Sequence, residues 1–123
     1  MSRYQFPKTV RILRRSDFRK VYDQGSRHSC PYFAAFCLKR EAAEDGGSVT
    51  EGPKVGFTVT KALGKAVVRN RMKRRLREAV RLHLSVLPPC WMIVMNGRKG
   101  VLDAEFPALE REVMRLFARC ANS

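Results

Sequence analysis

A chain of 123 residues that is 45% hydrophobic yet carries a formal charge of +14 reads as one folded domain over 1–123, not a disordered polycation. No run approaches the 18 or so apolar residues of a membrane span. The opening MSRYQFPKTVRILRR has no apolar core of a secretory signal, so the cytoplasm is the expected compartment.

The charge is clustered. Residues 1–27 hold eight basic side chains and two acids, and residues 61–81 hold nine and one, Glu78. The remaining residues nearly balance. Basic patches on an otherwise neutral surface steer a polyanion and hold it through counterion release. Solubility would not require clustering, and acids serve it better than bases. The expected partner is therefore a nucleic-acid backbone rather than a membrane or a small molecule.

In chain order, the first ten residues are expected to be flexible. Ser16 is placed as the N-cap of a helix through DFRKVYDQ, with Gly25 as its C-terminal stop and Phe18, Val21 and Tyr22 on one side. Residues 32–38, YFAAFCL, alternate in the manner of a strand. Residues 41–53 are acidic and Gly-rich, which predicts a solvated hairpin loop. Val55, Phe57 and Val59 alternate with Gly56, Thr58 and Thr60, a half-buried strand.

A helix is predicted from about 68 to 83. At 100° per residue it gathers Met72, Leu76, Ala79, Val80 and His83 on one side, and Asn70, Lys73, Arg74, Arg77 and Arg81 roughly opposite. One face has a core to sit on. The other presents guanidinium forks, which match phosphate oxygens because they stay charged and bond bidentately. The helix stops before Pro88 and Pro89, and WMIVM (91–95) suits a strand buried on both faces. Leu109, Val113, Leu116, Phe117 and Cys120 mark a last amphipathic helix with Pro107 near its first turn. The expected class is α/β, an α+β sandwich: one small sheet with helices packed on it, in the order helix, strands, helix, strand, helix.

Groups for catalysis are sparse. His83 falls on an apolar helix face and reads as packing, while His28 lies in a polar connection with no nearby carboxylate in sequence. Glu41, Glu44 and Asp45, and Glu110 and Glu112, read as solvated surface. Gly64-Lys65 is a lone glycine, not a phosphate loop. The four cysteines, Cys30, Cys37, Cys90 and Cys120, have neither zinc-site nor disulfide-framework spacing and are expected as buried thiols. No catalytic or metal-ligating residue is assigned to this chain.

The segment from Gly64 to Glu78, GKAVVRNRMKRRLRE, with Arg69-Asn70-Arg71 at its centre, resembles the signature of the protein subunit of bacterial ribonuclease P. Ser16-Asp17-Phe18, Val21-Tyr22 and Gly25 resemble that family's first helix, and Gly56-Phe57-Thr58-Val59-Thr60-Lys61 its strand before the basic helix. The likeness covers almost all of residues 8–120. The departures are the acidic loop at 41–53, longer than in many members, and Phe36 where some have Tyr, which removes a hydroxyl from the cleft.

The resemblance implies a holoenzyme that hydrolyses the bond joining the 5′ leader to mature tRNA in precursor tRNA. It places the active site and its Mg2+ in a catalytic RNA subunit. It implies Lys65, Arg69, Asn70, Arg71, Lys73, Arg74 and Arg77 as RNA contacts. Arg14, Phe18, Tyr22, Phe36 and Thr58 would line a leader-binding cleft, although periodicity alone would place Phe18 and Tyr22 in the core. A left-handed βαβ crossover around the basic helix also comes from the resemblance, against a strong general rule. Two other classes fit the composition: a ribosomal or chaperone-like RNA-binding module with no catalytic partner, and a metal-dependent nuclease acting alone. A helix-turn-helix DNA binder fits less well, because no second helix sits a short turn before the basic one.

Overall fold

A computed structural model of the chain describes residues 14–40 and 52–122. The expected flexible start, and residues 41–51 of the expected acidic loop, lie outside the described residues. The elements are α1 (Arg15–Gln24), β1 (Ser26–Ser29), β2 (Phe33–Lys39), β3 (Lys54–Thr58), α2 (Ala66–Leu82), β4 (Trp91–Gly97), a short α3 (Gly100–Asp103) and α4 (Phe106–Ala121). Short 3₁₀ turns, Lys61–Leu63 and Leu84–Val86, flank α2. The four strands form one sheet in the order β1-β2-β4-β3. Pairing is antiparallel except between β3 and β4, which run parallel with α2 carrying the chain between them. The α+β class is as the sequence predicts and the element order roughly so, with β1 and α3 added. The strands on either side of the expected hairpin loop, β2 and β3, do not pair, because β4 lies between them.

Helices cover both faces of the sheet, and strand alternation decides which residue goes where. Phe33, Ala35 and Cys37 of β2 and Trp91, Ile93 and Met95 of β4 point one way. They meet Met72, Leu76, Ala79 and Val80 of α2 and Leu109, Val113, Leu116 and Phe117 of α4. Met92 and Val94 point the other way and meet Val21 of α1, with Phe18, Phe36 and Leu38 around them. Trp91–Met95 is thus buried on both faces, because β4 is central in the sheet and sandwiched between helices.

Several sequence expectations change. β1, SRHS, holds no apolar residue and no alternation announced it. It exists because β2 offers its free edge, pairing Ser26 with Cys37 through Ser29 with Ala34. His28 therefore sits in a strand, where its Nδ1 lies 3.1 Å from Arg119 Nη1 of α4. Ser16 is not the cap of α1: Arg14 is, with no side-chain cap bond, and Ser16 lies inside the first turn.

Gly25 does end α1, but in an extended conformation (φ −82°, ψ 163°). Its requirement is space: an added Cβ would lie 2.5 Å from the Val21 carbonyl oxygen and 2.9 Å from that of Cys37. His83 closes α2 and bonds Glu110 Oε2 at 2.8 Å, so neither residue has the role expected of it. Glu110 is drawn from solvent to tie α2 to α4, and Glu112 lies 3.5 Å from Arg115.

All four cysteines are free, and Cys37 and Cys120 are buried while Cys30 and Cys90 are half-buried. Cys37 and Cys120 lie in one core cluster. Their interaction and burial hold Cys37 far above the ordinary thiol range, while the same interaction draws Cys120 down. Burial also pushes Cys30 up.

Candidate nucleic-acid interface

α2 divides its basic residues between two jobs. Met72, Leu76, Ala79 and Val80 are fully buried against the sheet and α4. Asn70, Arg71 and Arg74 are exposed, and Arg69, Lys73 and Arg77 are half-exposed. Lys65 is the exposed N-cap residue. Arg69 donates through Nε to the Gly64 carbonyl at 3.1 Å, anchoring the turn that leads into the helix. Gly64 is required there: its φ of 140° belongs to glycine, and an added Cβ would press on Val68 Cγ1 at 3.3 Å.

The start of α2 goes against helix electrostatics. The first turn contains no acid and the N-cap has no side-chain cap bond, while Lys65 and Arg69 flank it. A helix N-terminus already carries positive partial charge and unsatisfied N–H groups, so cations there are unfavourable until an anion arrives. A local rule broken at an exposed position marks a functional site more often than a stability device.

Two arginines in the same run are structural. Arg75 donates through Nε to Val101 O at 2.8 Å and through Nη2 to Ala104 O, and its guanidinium lies 6.0 Å from the Phe106 ring centre. It ties α2 to α3 and the start of α4. Arg81, placed by periodicity among the outward residues, bonds Glu78 through Nε at 2.9 Å. Arg75→Ala is expected to cost about 1–2 kcal/mol, discounted for partial exposure from the usual range for charged hydrogen bonds. It should leave the salt dependence of RNA binding unchanged, and urea melts with binding titrations at several salt concentrations check both halves.

The second candidate region lies between α1 and the opposite face of the sheet. The register sets Arg27, Phe36, Val94 and Gly56 in one row across the four strands, and Ser29, Ala34, Asn96 and Thr58 in the next. Over these rows α1 lowers Tyr22, whose ring meets Phe36 edge-on with centroids 5.0 Å apart and planes at 77°. Arg27 sits 6.0 Å from the Phe36 ring centre. Tyr22 Oη donates to Asn96 Oδ1 at 2.7 Å and lies 3.5 Å from Thr58 Oγ1, which also donates to Asn96 Oδ1.

The structure therefore brings Tyr22, Phe36 and Thr58 together. Phe18 is half-buried against Val21, Met92 and Val94, the same residues on which Phe36 packs. Tyr22 is 37% exposed whereas Val21 beside it is 0% exposed. Arg14 is exposed at the start of α1, its carbonyl receiving the amides of Asp17 and Phe18. Asn96 was missed by sequence reasoning, as was Arg27. Only the polar residue at the end of an apolar strand run could have pointed to Asn96.

Among the described residues no group of three or more His, Cys, Asp or Glu is placed to hold a metal ion. No described helix is long and apolar enough to cross a membrane.

A family model described as Ribonuclease P matches residues 6–121. The ribonuclease P protein component of Symbiobacterium thermophilum is 42% identical over 112 residues, covering 91% of each chain. That of Desulfosudis oleivorans is 35% identical over 123 residues, covering 99% of this chain and 94% of its own. Among solved structures, the RNase P protein of Thermotoga maritima superposes with a TM-score of 0.71 at 26% identity, covering 89% of this chain and 96% of that one. A mutant RNase P protein of Staphylococcus aureus shares the fold, with a TM-score of 0.72 at 23% identity over 94% of this chain and 90% of that one. With the signature on α2, the element order and nearly the whole length in agreement, this chain belongs to the ribonuclease P protein family.

Proposed function

We propose that this chain is the protein subunit of a cytoplasmic ribonuclease P ribonucleoprotein. It binds a catalytic RNA through the N-terminal half of α2, with Lys65, Arg69, Asn70, Arg71, Lys73, Arg74 and Arg77 as contacts. It holds the 5′ leader of precursor tRNA in the cleft of Arg14, Phe18, Tyr22, Phe36 and Thr58. The reaction assisted is hydrolysis of the phosphodiester that joins leader to mature tRNA. On this reading the Mg2+ of the holoenzyme is assigned mainly to the RNA.

The observation that carries this reading is the pairing of an uncapped, acid-free, cationic helix start with a separate aromatic cleft. The first suits a phosphate backbone. The second suits a single strand whose bases offer π-faces without a fixed sequence, as variable leaders require.

The test reconstitutes the chain with ribonuclease P RNA at low Mg2+ and compares leader-bearing precursor with leaderless tRNA. The nuclease-free protein alone should not cleave, and the complex should cleave at the mature 5′ end. A plain RNA-binding module would fail to support cleavage, and a self-sufficient nuclease would cut without the RNA. Tyr22→Ala should weaken binding of leader-bearing precursor by about 5- to 150-fold, the equivalent of one stacked base. Affinity for leaderless tRNA should hardly move. The stability loss should stay at about 1–2 kcal/mol, because Tyr22 is 37% exposed and gives up one hydrogen bond to Asn96 and an edge-on contact with Phe36. Phe18→Ala should cost stability as well, since that ring packs on Val21 and β4. A larger stability loss in Tyr22→Ala, with equal losses of affinity for both RNAs, would return Tyr22 to a structural role.

A further inference from the structure

Asn96 belongs to none of the motifs that identify the family, yet it is the hydrogen-bonding centre of the cleft. It stands near the end of β4, half-exposed, in the row with Ala34 and Thr58. Its Oδ1 accepts from the Tyr22 hydroxyl at 2.7 Å and from the Thr58 hydroxyl. A hydroxyl has one hydrogen to give, so both hydroxyls spend theirs on this single oxygen. The carboxamide is thereby held from two elements, α1 and β3, with its oxygen fully used. What it has left is the Nδ2 amino group with two N–H donors, and no described residue accepts either of them.

We propose that Asn96 is a specificity-determining residue of the cleft: its amino group donates to a hydrogen-bond acceptor on the edge of one leader base stacked beside Tyr22. The inference rests on the leader-binding reading above. A base edge is favoured over a phosphate because the Asn96–Tyr22–Thr58 cluster is neutral and flanked by aromatic rings. Phosphates are better served by the guanidinium groups of α2 and by Arg27. Because Oδ1 is occupied, Asn96 cannot make the two-point contact with adenine that uses both amide atoms. It reads by donation alone. One neutral hydrogen bond gives mild discrimination, compatible with leaders of many sequences.

The experiment measures affinity of the reconstituted holoenzyme for precursor tRNAs in which each leader position is varied through the four bases. The wild type should show a spread of about three- to tenfold at one position, the scale of a single neutral hydrogen bond. Asn96→Val removes donor and acceptor together and should reduce that spread below about twofold. Asn96→Asp keeps an acceptor for Tyr22 and Thr58 but has no donor. It should also lose the spread, and it keeps the test open should Asn96→Val fold poorly.

A spread that persists in either variant would overturn the proposal, with recovery in Asn96→Asp alone showing that Asn96 acts only by positioning Tyr22. Equal weakening for all leaders with the spread intact would make it a structural residue. No spread in a wild type that still prefers leader-bearing precursor would overturn this inference alone. A wild type that binds leader-bearing and leaderless RNA equally would instead bring down the leader-cleft reading.

Discussion

Replacing Lys65, Arg71 and Arg74 together with alanine is expected to lower affinity for ribonuclease P RNA by about two orders of magnitude in 0.1 M salt. Each lost phosphate contact removes roughly 0.7–0.9 from the slope of log K against log salt, so the triple variant should flatten the plot by about 2–3. All three side chains are exposed, and none makes a hydrogen bond or ion pair to a described residue. Alanine is a good helix former, and crowding of like charge is relieved. The melting temperature should therefore hold or rise slightly. Fluorescence anisotropy across a salt series, with circular-dichroism melts, checks both halves. A fall in affinity without any change of slope would place the loss elsewhere than in phosphate contacts. The contrast with Arg75→Ala, which should cost stability and spare the slope, makes the pair diagnostic for the two jobs of α2.

The largest expected effect on stability comes from the far face of the sheet. Phe117 is 0% exposed, the largest fully buried side chain among the described residues, and part of the cluster shared by α4, α2 and β4. Phe117→Ala should cost about 3–5 kcal/mol, from lost transfer energy and from a cavity the rigid sheet cannot close. Against a typical domain stability of about 5–15 kcal/mol, that is roughly a fifth or more of the total. A melting temperature lowered by more than about 10 °C follows from the usual scaling for a chain of this size. Thermal and urea melts measure it. The protein that remains folded should retain the wild-type salt slope, because the exposed basic side chains of α2 are untouched. A loss below about 1 kcal/mol would mean that the α2–α4 layer repacks freely, contrary to the dense cluster seen here.

Much of this was legible in the chain because it depends on short-range periodicity. The apolar stripe of α2 and the core face of α4 are each set within one element by the 3.6-residue repeat, and the double burial of Trp91–Met95 shows as an unbroken apolar run. The concentration of charge on residues 61–81 needs no fold to be recognised, and neither does the order of three spaced motifs that placed the chain in its family. What failed locally failed for identifiable reasons. Ser16 is an excellent cap residue, but the chain enters α1 two residues earlier, at Arg14. SRHS has no strand propensity of its own, and β1 forms only because β2 has an edge to pair.

By itself, then, the sequence determined the fold class, the positions of the main helices and strands, the polyanionic class of partner and the family. Each follows from composition or from patterns a few residues long. Only the tertiary structure decided how residues with the same local appearance divide their work. Arg74 and Arg75 are neighbours on one basic helix, yet a quarter-turn sends one to solvent and the other onto the carbonyls of Val101 and Ala104. Val21 and Tyr22 are neighbours on α1, yet one is buried and the other is 37% exposed beside Phe36. Asn96 acquires its role from Tyr22, 74 positions away, and from Thr58, 38 away. Such meetings are set by sheet register and by how a helix crosses the sheet, and no local repeat encodes either one.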